Sequence, residues 1–137
     1  MPDLHLRALP NPLKPLVNKF YRAQRSPMRA SHEDQPWVAE QGEIVAALCL
    51  RPQAEGQWLT GLFVAPPLRQ QGVARLLIEQ ALAQDALTTW LFCHPQLSDF
   101  YLRLGFSPCH KLPAQLAERL ARYQRSKSLL AFARSAL

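Results

Sequence analysis

The 137-residue sequence predicts a mixed α/β fold in one domain, residues 1–137, on three observations. First, a chain of this length buries about 70% of its unfolded surface in a single core. Second, strand-like and helix-like segments alternate through the second half, which is the signature of α/β architecture. Third, "VAPPLRQQGVARLLIEQAL" (64–82) runs from an apolar strand end, through Pro-Pro, into an amphipathic helix.

The elements follow in order. "LHLRAL" (4–9) reads as a short strand. Pro12 and Pro15 suit a helix's first turn, and Leu13, Leu16, Val17, Phe20 and Tyr21 recur at helical spacing, so 12–25 is a helix. The polar, breaker-rich 26–36 is a loop. "WVAEQGEIVAALCL" (37–50) reads as two strands joined at Gln41–Gly42. "EGQ" (55–57) is a turn and "WLTGLFV" (58–64) the next strand. Over 70–84, Val73, Leu77, Ile78, Ala81 and Leu82 share one helical face.

"TTWLFCH" (88–94) is rich in β-formers. Pro95 opens a helix over 95–104 with Leu97, Phe100, Tyr101 and Leu104 inward, and Gly105 stands where a left-handed helix end favours glycine. "FSPCHK" (106–111) is a strand, Pro113 opens a helix carrying Leu116, Leu120 and Tyr123, and "SLLAFAR" (128–134) closes the chain as a strand.

Hydrophobic residues make up 48% of the chain and charged residues 19%, an ordinary globular balance. No run approaches the ~18 apolar residues of a membrane helix, and the N-terminus lacks a signal-peptide core, so a soluble cytoplasmic protein is expected. Cys49, Cys93 and Cys109 are odd in number and form no CxxC pair, which supports neither a disulfide framework nor a zinc site. The +6 net charge is concentrated at the ends: six Lys/Arg against Asp3 in 1–29, and seven against Glu118 in 103–137. Basic ends attract anions, but the lack of interleaved aromatics argues against nucleic acid as the partner.

"RQQGVA" (69–74) stands at the mouth of a helix. A helix start offers unpaired backbone N–H groups and partial positive charge. Gly72 and the small Ala74 let a phosphate approach the backbone, and Arg69, Gln70 and Gln71 add donors at the edge. The stretch reads as a pyrophosphate cradle, although neither a P-loop lysine nor GxGxxG is present.

"LFVAPPLRQQGVARLLIEQAL" resembles the coenzyme A-binding segment of the GNAT N-acetyltransferase superfamily, whose motif is Gln/Arg-x-x-Gly-x-Gly/Ala after a strand ending in valine. Arg69, Gly72 and Ala74 fill the fixed positions, with Val64 upstream. "WLFCHPQLSDFYLRLGF" (90–106) resembles the family's later strand–helix–strand element. The resemblance implies a central mixed, mostly antiparallel sheet with a V-shaped splay, flanked by helices. It also implies that the amides of Gln70, Gln71, Gly72, Val73, Ala74 and Arg75 bind the pyrophosphate of acetyl-CoA. The pantetheine arm would pair with Leu62, Phe63 and Val64, and one of those N–H groups would polarise the acetyl carbonyl. Tyr101 would protonate the departing thiolate. His94 stands where many relatives carry an asparagine on the pantetheine arm.

The implied function is direct acetyl transfer from acetyl-CoA to a primary amine in a ternary complex, with no metal. "WLTGLFV" holds no acid, unlike many relatives, which leaves Glu40, Glu43 or water to deprotonate the amine. The acceptor region would involve the first helix, the loop after it and 107–128, with Phe20, Tyr21, Trp37 and Trp58 as lining or core. Two alternatives stand beside this reading: acetylation of aminoacyl-tRNA, and a non-catalytic acyl-CoA-binding regulatory module. Strand edges leave a homodimer open.

Overall fold

A computed structural model describes residues 3–83 and 87–135. They form two compact units, one of residues 3–51 and 59–83, the other of residues 52–58 and 87–135.

The first unit carries β1 (His5–Ala8), α1 (Pro15–Ala23), β2 (Gln35–Gln41), most of β3 (Glu43–Gln53), the later part of β4 (Gly56–Val64), and α2 (Val73–Leu82). β1 pairs antiparallel with β2, and β2 with β3. In β3, Val45 to Leu50 are consecutively buried. Successive side chains on a strand face opposite sides, so both faces of β3 are covered. Val38 and Ala39 of β2 are wholly buried in the same way. α1 packs Val17, Phe20 and Tyr21 against Leu9, Val38 and Ala47. Fully burying a side chain of this size contributes about 1.5–3 kcal/mol. α2 lies against β1 and β2, and its buried residues are the five its spacing predicts.

The loop after α1 is tied down by specific bonds. Asn18 Oδ1 accepts the Ala30 amide at 2.8 Å, and Asp34 accepts the Ser31 amide at 2.8 Å. Asp34, fully buried, is paired with Arg51 at 2.7 Å. A buried carboxylate requires such a partner, since desolvation alone would expel it.

The second unit carries the start of β4, β5 (Thr88–Cys93), α3 (Ser98–Arg103), β6 (Ser107–Pro108), α4 (Ala114–Tyr123) and β7 (Leu130–Arg134). β4 runs parallel to β5 over Gly56–Thr88, Gln57–Thr89 and Trp58–Trp90. β5 and β6 each pair antiparallel with β7. Leu116 of α4 packs on Trp58 and Trp90, and the Arg119 guanidinium stacks over the Trp58 ring at 4.9 Å. Among the described residues, seven strands hydrogen-bond in the order β1-β2-β3-β4-β5-β7-β6, a mixed, mostly antiparallel sheet with flanking helices, as expected.

Several boundaries shift for physical reasons. The helix expected over 12–25 is a 3-10 turn, Asn11–Leu13, followed by α1. Pro15 has no N–H to continue a ladder and so opens a new helix. α2 begins at Val73 because Gln70 (φ 63°) and Gly72 (φ 82°) are left-handed. The expected end of this helix at position 84 lies outside the described residues. Likewise 95–104 divides into a 3-10 turn, Pro95–Leu97, and α3, with Leu97 exposed rather than inward. The strand expected over 106–111 shortens to β6, although the Cys109 amide still donates to Ala131 at 2.9 Å.

Candidate functional site

In the first unit, β4 bends at Gly61. Its φ of 70° lies in the left-handed region, and a Cβ there would stand 2.7 Å from the Tyr21 hydroxyl. That hydroxyl donates to the Gly61 carbonyl at 2.6 Å. Conformation and space both require glycine. Gly61→Ala is expected to destabilise the protein by about 1–2 kcal/mol from backbone strain alone. Urea unfolding should show a lower midpoint at constant slope. An unchanged midpoint would contradict the bend.

Beyond the bend come Leu62 and Phe63, half-buried, and Val64, buried. Arg69 folds back on this strand end. Its Nε donates to the Val64 carbonyl at 2.9 Å, and its guanidinium lies 5.1 Å over the Phe63 ring. The sequence places Arg69 among the donors at the cradle's edge; the structure uses its Nε to hold the strand. Gln71 Nε2 donates to the Pro67 carbonyl at 3.0 Å and steadies the loop.

The cradle itself is backbone. Among the described residues, no amide from Gln70 to Arg75 donates to an acceptor in the chain. Left-handed Gln70 and Gly72 turn successive N–H groups into a concave nest at the start of α2, a geometry suited to an anion. A Cβ at Gly72 would meet nothing within 4 Å, so the space before the nest is open. Val73 turns its side chain into the core while its amide stays at the helix mouth. Arg75 pairs with Glu79 at 3.1 Å on the exposed face.

The second unit positions Tyr101 through the end of α3. The Phe106 amide donates to the Tyr101 carbonyl at 3.0 Å and the Gly105 amide to that of Leu102 at 3.1 Å, with Gly105 at φ 88°. This is a Schellman motif, and its usual apolar contact is the Tyr101–Phe106 ring pair, with centroids 5.8 Å apart. Phe100 and Phe132 close the ring in. Tyr101 is only 5% exposed, and among the described residues its hydroxyl makes no hydrogen bond to protein. Burial, reinforced by the nearby Cys93 thiol, pushes the phenol above its ordinary range and keeps it protonated. His94, exposed, precedes Pro95 at the end of β5.

Other sequence candidates fall elsewhere. Phe20, Tyr21 and Trp58 are core residues. Glu40 is ion-paired with Arg7 at 2.7 Å, and Glu43 is exposed at the start of β3. The Tyr21–Gly61 bond and the Asp34–Arg51 pair were not anticipated. A glycine inside a strand pattern is the signal for the first, because it marks a bulge or a close approach. Among the described residues, no group of three or more His, Cys, Asp or Glu gathers as a metal site, and no helix is long and apolar enough to cross a membrane.

A mixed sheet flanked by helices, with its fourth strand leading into an amide nest at a helix start, defines an α/β protein. The family is settled by sequence: residues 32–108, more than half of the chain, match the Acetyltransferase (GNAT) domain model, and the chain belongs to that family. None of the curated proteins matches the sequence. Among solved structures, the fold is similar to the IAA acetyltransferase from Bacillus cereus, at TM-score 0.72 and 13% identity, covering 98% of this chain and 100% of that one. It is also similar to Rv2747 from Mycobacterium tuberculosis, solved in complex with CoA and NLQ, at TM-score 0.71 and 12% identity over 97% and 99% of the two chains. The ribosomal-protein-S18-alanine N-acetyltransferase from Escherichia coli follows at TM-score 0.67 and 15% identity, over 98% and 96%.

Proposed function

We propose that this protein is a cytoplasmic N-acetyltransferase that moves an acetyl group from acetyl-CoA directly to a primary amine in a ternary complex. The observation that carries the reading is the run of six amides, Gln70 to Arg75, without acceptors among the described residues. Family membership and the CoA held by one structural neighbour support the same ligand.

Bound acetyl-CoA supplies an activated thioester. The chain's residues have separate tasks. The nest holds the pyrophosphate through the N–H groups of Gln70, Gln71, Gly72, Val73, Ala74 and Arg75. The backbone of Leu62, Phe63 and Val64 aligns the pantetheine arm, and one of its N–H groups donates to the acetyl carbonyl as negative charge develops there. His94 contributes a hydrogen bond to the arm.

Tyr101 returns a proton to the departing sulfur. An ordinary thiol titrates at ~8.5 and a phenol at ~10. Burial raises Tyr101 further, which keeps the donor loaded. The amine's proton passes to Glu40, Glu43 or water; the lack of an acid on β4, the Arg7 pairing of Glu40 and the exposed place of Glu43 at the start of β3 support water.

A thiol-release assay tests the proposal, with acetyl-CoA and acceptors drawn from small amines, peptide N-termini and aminoacyl-tRNA. Saturable, amine-dependent release is expected with one of these classes. Binding of acetyl-CoA without amine-dependent release across all three would contradict it.

A further inference from the structure

Leu62 is held on both sides by consecutive residues of α1. Tyr21 bonds the carbonyl of Gly61 before it, and Phe20 packs edge-on against Phe63 after it, with ring centroids 6.1 Å apart. We infer that Tyr21 is a positioning residue for the acetyl carbonyl: its phenol orients and polarises the Gly61–Leu62 peptide so that the Leu62 N–H is the oxyanion donor. The inference rests on the proposed acetyl-CoA reading and selects one amide from the three that reading leaves available.

The geometry is that of a single peptide plane. The described backbone contains no cis peptide bond, so the carbonyl of Gly61 and the N–H of Leu62 point in opposite directions. The carbonyl points at Tyr21 on α1. The N–H therefore points away from α1. A hydrogen bond received by the carbonyl strengthens the donor at the other end of the same amide. Tyr21 is 1% exposed, so water does not compete for the bond. On its other side the hydroxyl meets Cys49 Sγ at 3.8 Å, which confines it. The donor is thus fixed before any ligand arrives, which is the condition for electrostatic preorganisation.

The test uses the full chain and acetyl-CoA labelled with ¹³C at the carbonyl. Isotope-edited infrared spectroscopy reads the thioester carbonyl band when bound, and calorimetry reads affinity. In the unaltered protein the band should move to lower frequency than in free acetyl-CoA. In Tyr21→Phe that displacement should be largely lost, while affinity, which the cradle dominates, stays nearly unchanged. Site-specific 3-fluorotyrosine at position 21 keeps the shape and strengthens the donor, so it should move the band further down even if Tyr21→Phe fails to fold. A merely structural Tyr21 would leave the band where it is in every folded variant, and that result would overturn the inference alone. Absence of acetyl-CoA binding to the unaltered protein would overturn the functional reading along with it.

Discussion

Tyr101→Phe is expected to lower kcat by a factor on the order of 10²–10⁴ while acetyl-CoA affinity is largely retained. The substitution removes one hydroxyl and nothing of the packing that holds the ring. The three neighbouring phenylalanines and the Schellman turn remain. Folding should therefore be unaffected, because that hydroxyl makes no hydrogen bond to protein among the described residues and phenylalanine leaves no unpaired group behind. Only the proton delivery to sulfur is lost. The pH profile carries a second sign. The folded phenol titrates above its ordinary ~10, so the donor stays protonated below that value, and no loss of rate from its ionisation should appear there. Stopped-flow or steady-state thiol release across pH reads both effects. A fully active Tyr101→Phe enzyme would reduce Tyr101 to a core aromatic.

Gly72→Glu should abolish coenzyme A binding. The backbone there is left-handed, so any side chain incurs about 1–2 kcal/mol of strain. A Cβ meets no protein atom within 4 Å, so the side chain extends into the open space before the nest. It would bring a carboxylate against the pyrophosphate. Two like charges about 4 Å apart near a protein surface repel by about 4 kcal/mol, roughly a thousandfold in affinity. Gly72→Ala, with strain but no charge, should weaken binding far less. Equal affinities for the glutamate variant and the unaltered protein would remove the anion-cradle assignment.

The parts of the candidate site that sit on contiguous sequence were legible as local geometry. Helix mouth, glycine and the preceding strand all fall within "LFVAPPLRQQGVA", and the structure gives that stretch the left-handed turns an amide nest needs. Gly105 was legible for the same reason: a helix end is a local event. What escaped depends on distance along the chain. Tyr21 and Gly61 are 40 positions apart, and neither residue type alone announces the other. Asp34 sits in a polar loop that gives no hint of its burial against Arg51. Arg69 has every attribute of a free anion ligand until Val64 and Phe63 are seen to hold it. Helix lengths were overestimated where 3-10 turns intervene, because apolar spacing alone does not separate one helix type from another.

Calorimetric titration of the ligand-free protein with acetyl-CoA, with CoA and ATP as comparison ligands, tests the central claim most directly. Selective binding of acetyl-CoA and CoA at micromolar concentrations, absent for ATP and lost in Gly72→Glu, is the predicted result. No binding of any of the three would mean that the nest at Gln70–Arg75 does not hold a pyrophosphate.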